Sequence, residues 1–321
     1  MLRFLPWLNE EALYEAKSGE SYNDEHAHVN VWNHMVSKGI AHDKKKMTAE
    51  LDKAKTDKKH PLHFDKADDA GFTGGKKTSA ARASYHAEHE TAMHTVHALA
   101  NHPDFKKAIA EKHTAKVMGG TRSEVSDTWK KYGATKGGTS KADVSIRKEG
   151  SKSQGLKLSM KKGGGSQLMS GGPEENSATH DYATREMLND HPKYKKLSKA
   201  KKDEIHSNVM KKMSEVGEHL NKMRTTPRSQ WETHRKNAQK ALDDVHDKHP
   251  ELNHYVRKEA TTGEGKFGLG SAAAASHMVK SGQGNHGAEV KHVKDVDYSG
   301  PRPRAALPKG DGRSGNVKLD T

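Results

Sequence analysis

The chain has 321 residues, a length that suggests about two domains, and its 56 Lys and Arg against 42 Asp and Glu leave a formal charge of +14. Only 31% of the residues are hydrophobic and the mean hydropathy is −1.04, which excludes a bilayer span of ~20 apolar residues and a large core running through the whole chain. There is no cysteine, which excludes disulfides, thiolate metal sites and thiol nucleophiles, and the positive excess predicts a polyanionic partner, most simply nucleic acid.

The N-terminal run Met1 to Leu8 is apolar but short, is interrupted by Pro6 and is followed by Asn9-Glu10-Glu11. It lacks the apolar length and cleavage site of a signal peptide, so the expectation is a soluble, intracellular protein without a membrane partner. Helices are predicted over 9–17 and 24–39, the second with Asp24 as N-cap, Val29, Trp32 and Val36 as its apolar stripe, and Gly39 as its stop. A Lys-rich helix follows over 44–58, then a loop over 60–78 punctuated by Pro61, Gly71, Gly74 and Gly75. The strongest helix spans 79–100, and a shorter one spans 103–113 after the break at Asn101-His102-Pro103.

Beyond 117 the pattern changes. A helix over 122–132 carries Val125 and Trp129 four residues apart. Lys141 to Ile146 and Gly155 to Lys161 alternate and predict the two strands of a β-hairpin. A Gly-rich connector follows, and Pro173 opens a helix to about 189. Helices over 198–223, 228–247 and 250–260 come next; in the first, Ile205, Val209, Met213, Val216 and Leu220 share one face. The Gly-rich remainder is compatible with strands at Val290 to Val296 and Asn316 to Leu319, with a loop over 299–315. The division read from this pattern is a helical region 1–116, an α/β core 117–190, a helical region 191–260 and a Gly/Pro-rich region 261–321 that can add strands to the core.

The hairpin carries the most informative chemistry. Asp143 opens one strand, and Ser159 and Lys161 share a face of the next by the period-two rule. Glu124 lies on the predicted helix before them. An acid that opens one strand, followed by a polar residue two positions before a lysine, suits phosphodiester hydrolysis. The carboxylate holds a divalent cation that polarises the phosphate and acidifies a water. The lysine stabilises the developing charge. Mg²⁺ or Mn²⁺ suits such oxygen ligands.

Ser140-Lys141-Ala142-Asp143-Val144 followed by Leu158-Ser159-Met160-Lys161-Lys162-Gly163 resembles the PD-(D/E)XK nuclease core of type II restriction enzymes and related phage proteins. That resemblance covers roughly 50 residues. It implies an α/β (α+β) fold in which a small mixed sheet sits among helices, and Mg²⁺-dependent hydrolysis of DNA. It also implies Asp143 as metal-binding aspartate, Lys161 as catalytic lysine and Glu124 as supporting acid. Ser159 departs from the pattern, because the family has a carboxylate there. The chain is also similar in style to proteins of large tailed phages, through this block and the run Glu259 to Phe267, which hints that the two blocks meet in space. This implies a location in host cytoplasm or virion and virion proteins as further partners.

Three other features complete the reading. Lys162, Gly163, Gly164, Ser166 and Gln167 lie in a Gly-rich run without the P-loop order, and either contact a DNA backbone or simply connect. His86, Glu90, His94 and His97 line one face of the 79–100 helix, and either form a metal site or a solvated face. Low apolar content, abundant lysine and Ser159 fit an alternative, a non-enzymatic virion or DNA-associated basic protein.

Overall fold

The computed structural model describes residues 24–66, 79–118, 122–133, 138–151, 155–162, 167–268, 270–281 and 287–320. Its helices are α1 (Asp24–Ser37), α2 (Lys44–Thr56), α3 (Ser79–Asn101), α4 (Lys106–Ala110), α5 (Asp127–Lys131), α6 (Pro173–Asp190), α7 (Pro192–Lys195), α8 (Lys199–Thr225), α9 (Arg228–Lys248), α10 (Leu252–Thr262) and α11 (Glu264–Phe267). Its longer strands are β1 (Thr114–Val117), β2 (Val144–Arg147), β3 (Leu156–Lys162), β4 (Gln167–Gly171), β5 (His277–Ser281), β6 (Glu289–His292), β7 (Arg304–Ala306) and β8 (Asn316–Asp320). The fold is mixed α and β, as expected.

The chain forms two compact units, each drawn from separated stretches of sequence. The first is drawn from Met1–Thr121, Ala142–Gly164 and Ser276–His292. It holds a five-stranded sheet in the order β1-β2-β3-β5-β6. Every neighbouring pair is antiparallel except β3 and β5, which run parallel. One sheet face contributes Ala115, Val144, Ile146, Leu158, Met160 and Val279 to a core shared with Trp32, Met35, Met47, Phe64, Tyr85 and Phe105 from the helical side. Burying side chains of this size contributes about 1.5–3 kcal/mol each. Trp32 is also fixed by its indole N–H, which donates to the His113 carbonyl at 2.9 Å.

The second unit is drawn from Arg122–Lys141, Gly165–Ala275 and Val293–Thr321. Its three-stranded sheet has the order β4-β8-β7. The stripe Ile205, Val209, Met213, Val216 and Leu220 is buried along α8, in one cluster with Met187, Leu242, Val245, Val256 and Val317. Ser198 caps α8 by accepting the Lys201 N–H at 3.3 Å. Thr225-Thr226-Pro227 separates α8 from α9 because proline has no N–H to continue the helical ladder.

Several elements differ from the sequence pattern. The 103–113 segment is a 3₁₀ turn at Pro103–Phe105 running into α4, after which β1 begins. The 122–132 segment is helical only over Asp127–Lys131, because Arg122–Ser123 pairs with Gly138–Thr139 and Ser126 caps α5. The connector after β3 contains strand β4, whose pairing comes from β8 far along the chain. β5 and β7 carry no alternation that reads as a strand; β5 is buried at four of its five positions, as expected of a strand covered on both faces. The expected 290–296 strand is β6 followed by a 3₁₀ turn at Val293–Asp295. The five-stranded sheet takes its last two strands from 277–292, within the 261–321 region expected to add strands to the core. The helix expected over 9–17 lies outside the described residues.

Candidate active site on the β2–β3 hairpin

Asp143 is tied to its neighbours by both backbone and side chain. Its N–H donates to the Leu158 carbonyl at 2.8 Å, and its carbonyl accepts the Met118 N–H at 2.7 Å. Its Oδ2 accepts the Met160 N–H at 2.6 Å. The hairpin register pairs Val144 with Leu158, Ser145 with Lys157 and Ile146 with Leu156. Leu158 and Met160 join the apolar core, so alternation puts Lys157, Ser159 and Lys161 on the opposite face. Asp143 lies in the bend immediately before β2, with its carboxylate held against β3 by the Met160 N–H.

The neighbouring strands add lysines and one acid to this face. In register, Lys280 lies beside Lys161 and Met278 beside Ser159 on β5, while on β6 Lys291 lies beside Met278 and Glu289 beside Lys280, the two β6 side chains forming an ion pair at 2.6 Å. Lys116 of β1 lies beside Ser145. Lys157 is 5% exposed, and burial holds its ammonium below the ordinary lysine range. Ser159 is 1% exposed, and its Oγ has no hydrogen-bond partner among the described residues. An unpaired buried hydroxyl costs about 1–3 kcal/mol, and it stands on the same strand face as the Lys161 side chain. A carboxylate and a hydroxyl are hard oxygen donors of the kind Mg²⁺ and Mn²⁺ take.

The remaining sequence candidates fall elsewhere. Glu124 is not on a helix; it precedes α5 in the second unit. Its side chain is 83% exposed and pairs with Lys130 at 2.7 Å. Lys162 ends β3 and Gln167 begins β4, while Gly163, Gly164 and Ser166 lie outside the described residues. His86, Glu90, His94 and His97 do share α3, but Glu90 pairs with Lys55 at 2.8 Å. His97 Nε2 meets the Asn101 amide at 3.3 Å. None of the four enters a converging group of three metal-ligand donors among the described residues.

Two such groups occur elsewhere, both in the first unit: His34, Glu50 and His60, and His102, Asp104 and His277. In the former, Glu50 Oε1 meets His34 Nε2 and His60 Nε2 at 3.0 Å each and accepts from the Lys38 ammonium. Burial pushes the Glu50 carboxyl up, but the hydrogen bonds from Lys38, His60 and His34 outweigh it and hold the group below the usual carboxylate range. His60 Nδ1 accepts the Leu62 N–H at 3.1 Å, so the ring proton sits on Nε2 and points at Glu50. This is a hydrogen-bonded knot tying α1, α2 and the following loop. Sequence reading passed over Glu50 because its partners come from other elements.

The Glu259 to Phe267 block lies in the second unit. Glu259 accepts the Gly265 and Lys266 N–H groups at 2.7 and 3.0 Å. Burial pushes its carboxyl up to about 8 against the pull of those bonds. α10 ends at Gly263, at φ +65°, where a β-carbon would stand 2.6 Å from Lys141 Cγ. The Lys141 N–H also donates to the Ala273 carbonyl at 2.9 Å. Ser140 and Lys141, from the start of the hairpin block, therefore pack on the segment containing this second block. No protein-family model, no curated protein and no solved structure matches the chain.

Proposed function

We propose that the polar face of the β2–β3 hairpin hydrolyses DNA phosphodiester bonds with Mg²⁺ or Mn²⁺. The observation that carries this reading is the hydrogen bond from the Met160 N–H to Asp143 Oδ2 at 2.6 Å, which fastens the acid to the strand whose polar face carries Ser159 and Lys161. A bound divalent cation would polarise the phosphate and lower the pKa of the attacking water. Asp143 would hold that cation through its carboxylate. The Lys161 ammonium would stabilise charge that develops on the phosphate oxygens. Lys116 and Lys280 would meet flanking phosphates, each contact adding salt-sensitive affinity.

Ser159 supplies a neutral oxygen where the resembling family has a carboxylate. It can hold a water but adds no charge, so Asp143 carries the electrostatic attraction for the cation. Incubating supercoiled plasmid with the purified protein and Mg²⁺ or Mn²⁺ tests the reading. Wild type is expected to nick; Asp143→Ala, Lys161→Ala and wild type in EDTA are expected not to. Absence of cleavage, with equal salt-dependent DNA binding by all three proteins, overturns it in favour of a non-enzymatic DNA-associated or virion protein.

A further inference from the structure

We infer that His102, Asp104 and His277 form a site for a divalent transition metal of the Zn²⁺ class, separate from the hairpin face. The three donors come from the turn after α3 and from the first residue of β5. His277 Nε2 lies 2.9 Å from Asp104 Oδ2, and His102 Nδ1 lies 3.9 Å from the same oxygen. These spacings bracket about 3.3 Å, the edge of a tetrahedron with metal–ligand bonds of ~2.0–2.1 Å.

Proton positions separate this group from the His34–Glu50–His60 knot. A metal-bound imidazole donates its other N–H to a second partner. At His60 that partner is the Leu62 N–H, which can only donate. At His277 the Nδ1 partner is Ser276 Oγ, at 2.9 Å. That hydroxyl can accept from Nδ1 because its own proton has the Lys157 carbonyl at 3.0 Å. With a cation bound, Nε2 can turn its lone pair to the ion; without one, the 2.9 Å contact is a hydrogen bond from the Nε2 proton to Asp104. His102 Nδ1 accepts the Asp104 N–H at 3.4 Å, a long contact that a bound cation would displace.

Packing fixes the site on one side and leaves it open on the other. The His277 ring is 2% exposed at its side chain and stands edge-on to Phe105, with centroids 4.9 Å apart. The His292 ring is 5.0 Å away across the β5–β6 pair. Asp104 is 43% exposed, which leaves a position for water or for His292 as the fourth ligand. Two imidazoles and a carboxylate favour Zn²⁺, Co²⁺ or Ni²⁺ over the harder Mg²⁺.

Titration of chelator-treated protein with Co²⁺ alone tests the proposal, read as visible d–d absorption and then displaced by Zn²⁺. Wild type is expected to bind one equivalent with a low-coordinate spectrum. His102→Gln and Asp104→Asn, both at partly exposed positions, are expected to abolish the band while keeping the near-ultraviolet circular dichroism of the fold. Ser276→Ala is expected to weaken binding at least about tenfold, by loosening the His277 ring. His34→Gln is expected to leave the band unchanged. No band in wild type, or a band that survives both His102→Gln and Asp104→Asn, overturns the proposal and leaves His277 and Asp104 as an ion pair.

Discussion

At the scale of the residue, Ser159 concentrates the question of function. Its hydroxyl is buried and makes no hydrogen bond among the described residues, so it contributes nothing favourable to folding that would explain its polarity. Replacing it by alanine removes a desolvated polar group. Ser159→Ala is therefore expected to leave stability unchanged or raise it by about 1 kcal/mol, measured by chemical denaturation. If the hydroxyl orders water or cation at the hairpin face, nicking falls about tenfold in the same variant, ~1.4 kcal/mol of transition-state stabilisation. Unchanged nicking would remove Ser159 from the site. The pairing of Ser159 and Lys161 on one face was readable beforehand, because side-chain alternation along a strand depends only on backbone geometry. Glu124 was not, since its orientation depends on where α5 begins and on the ion pair with Lys130.

At the scale of the element, the β2–β3 hairpin depends on Gly155. It holds φ +66°, and a β-carbon there would overlap the Ile146 carbonyl oxygen and lie 2.7 Å from Arg147 Cβ. Both the left-handed backbone and the close approach require glycine. Gly155→Ala is expected to cost about 1–3 kcal/mol and to lower Tm by several degrees, with nicking reduced alongside because Asp143 is fastened to β3. Gly310→Ala is the matched control, because nothing lies within 4 Å of a β-carbon at that position. An equal Tm for the two variants would refute the argument. The histidines show the same dependence on context. His180 and His246 face each other in the second unit, Nε2 to Nε2 at 3.4 Å, and burial pushes them down to about 4 and about 3. Neutral imidazoles are thus core residues here, and among the described histidines only His42 and His254 are exposed.

At the scale of the whole molecule, each unit is completed by chain that arrives late. β5 inserts between β3 and β6, and β7 and β8 complete the sheet begun by β4. A chain ending after Ala275 would lose β5 and β6 from one sheet and β7 and β8 from the other. Such a truncation is expected to abolish cooperative thermal unfolding, measured by near-ultraviolet circular dichroism. Retention of a sharp transition at the wild-type Tm would show that the early strands suffice. Closing the long connection between β3 and β5 also costs loop entropy before any pairing repays it, so β5 docking is expected late in folding.

The sequence by itself determined the features encoded in a short window. These are the buried stripe of α8, the stop at Thr225-Thr226-Pro227, the β2–β3 hairpin and the shared face of Ser159 and Lys161. Each follows from helical or strand periodicity, capping or proline sterics acting over a few residues. Tertiary structure decided everything that needed a distant partner. β4 is a strand because β8 pairs with it, and β5 is one because it is buried between β3 and β6. Glu50 is charged in the interior because His34, Lys38 and His60 surround it. His102, Asp104 and His277 converge only because β5 threads the sheet beside the end of α3. No local pattern carries that information, because long-range pairing is chosen by which surfaces bury one another.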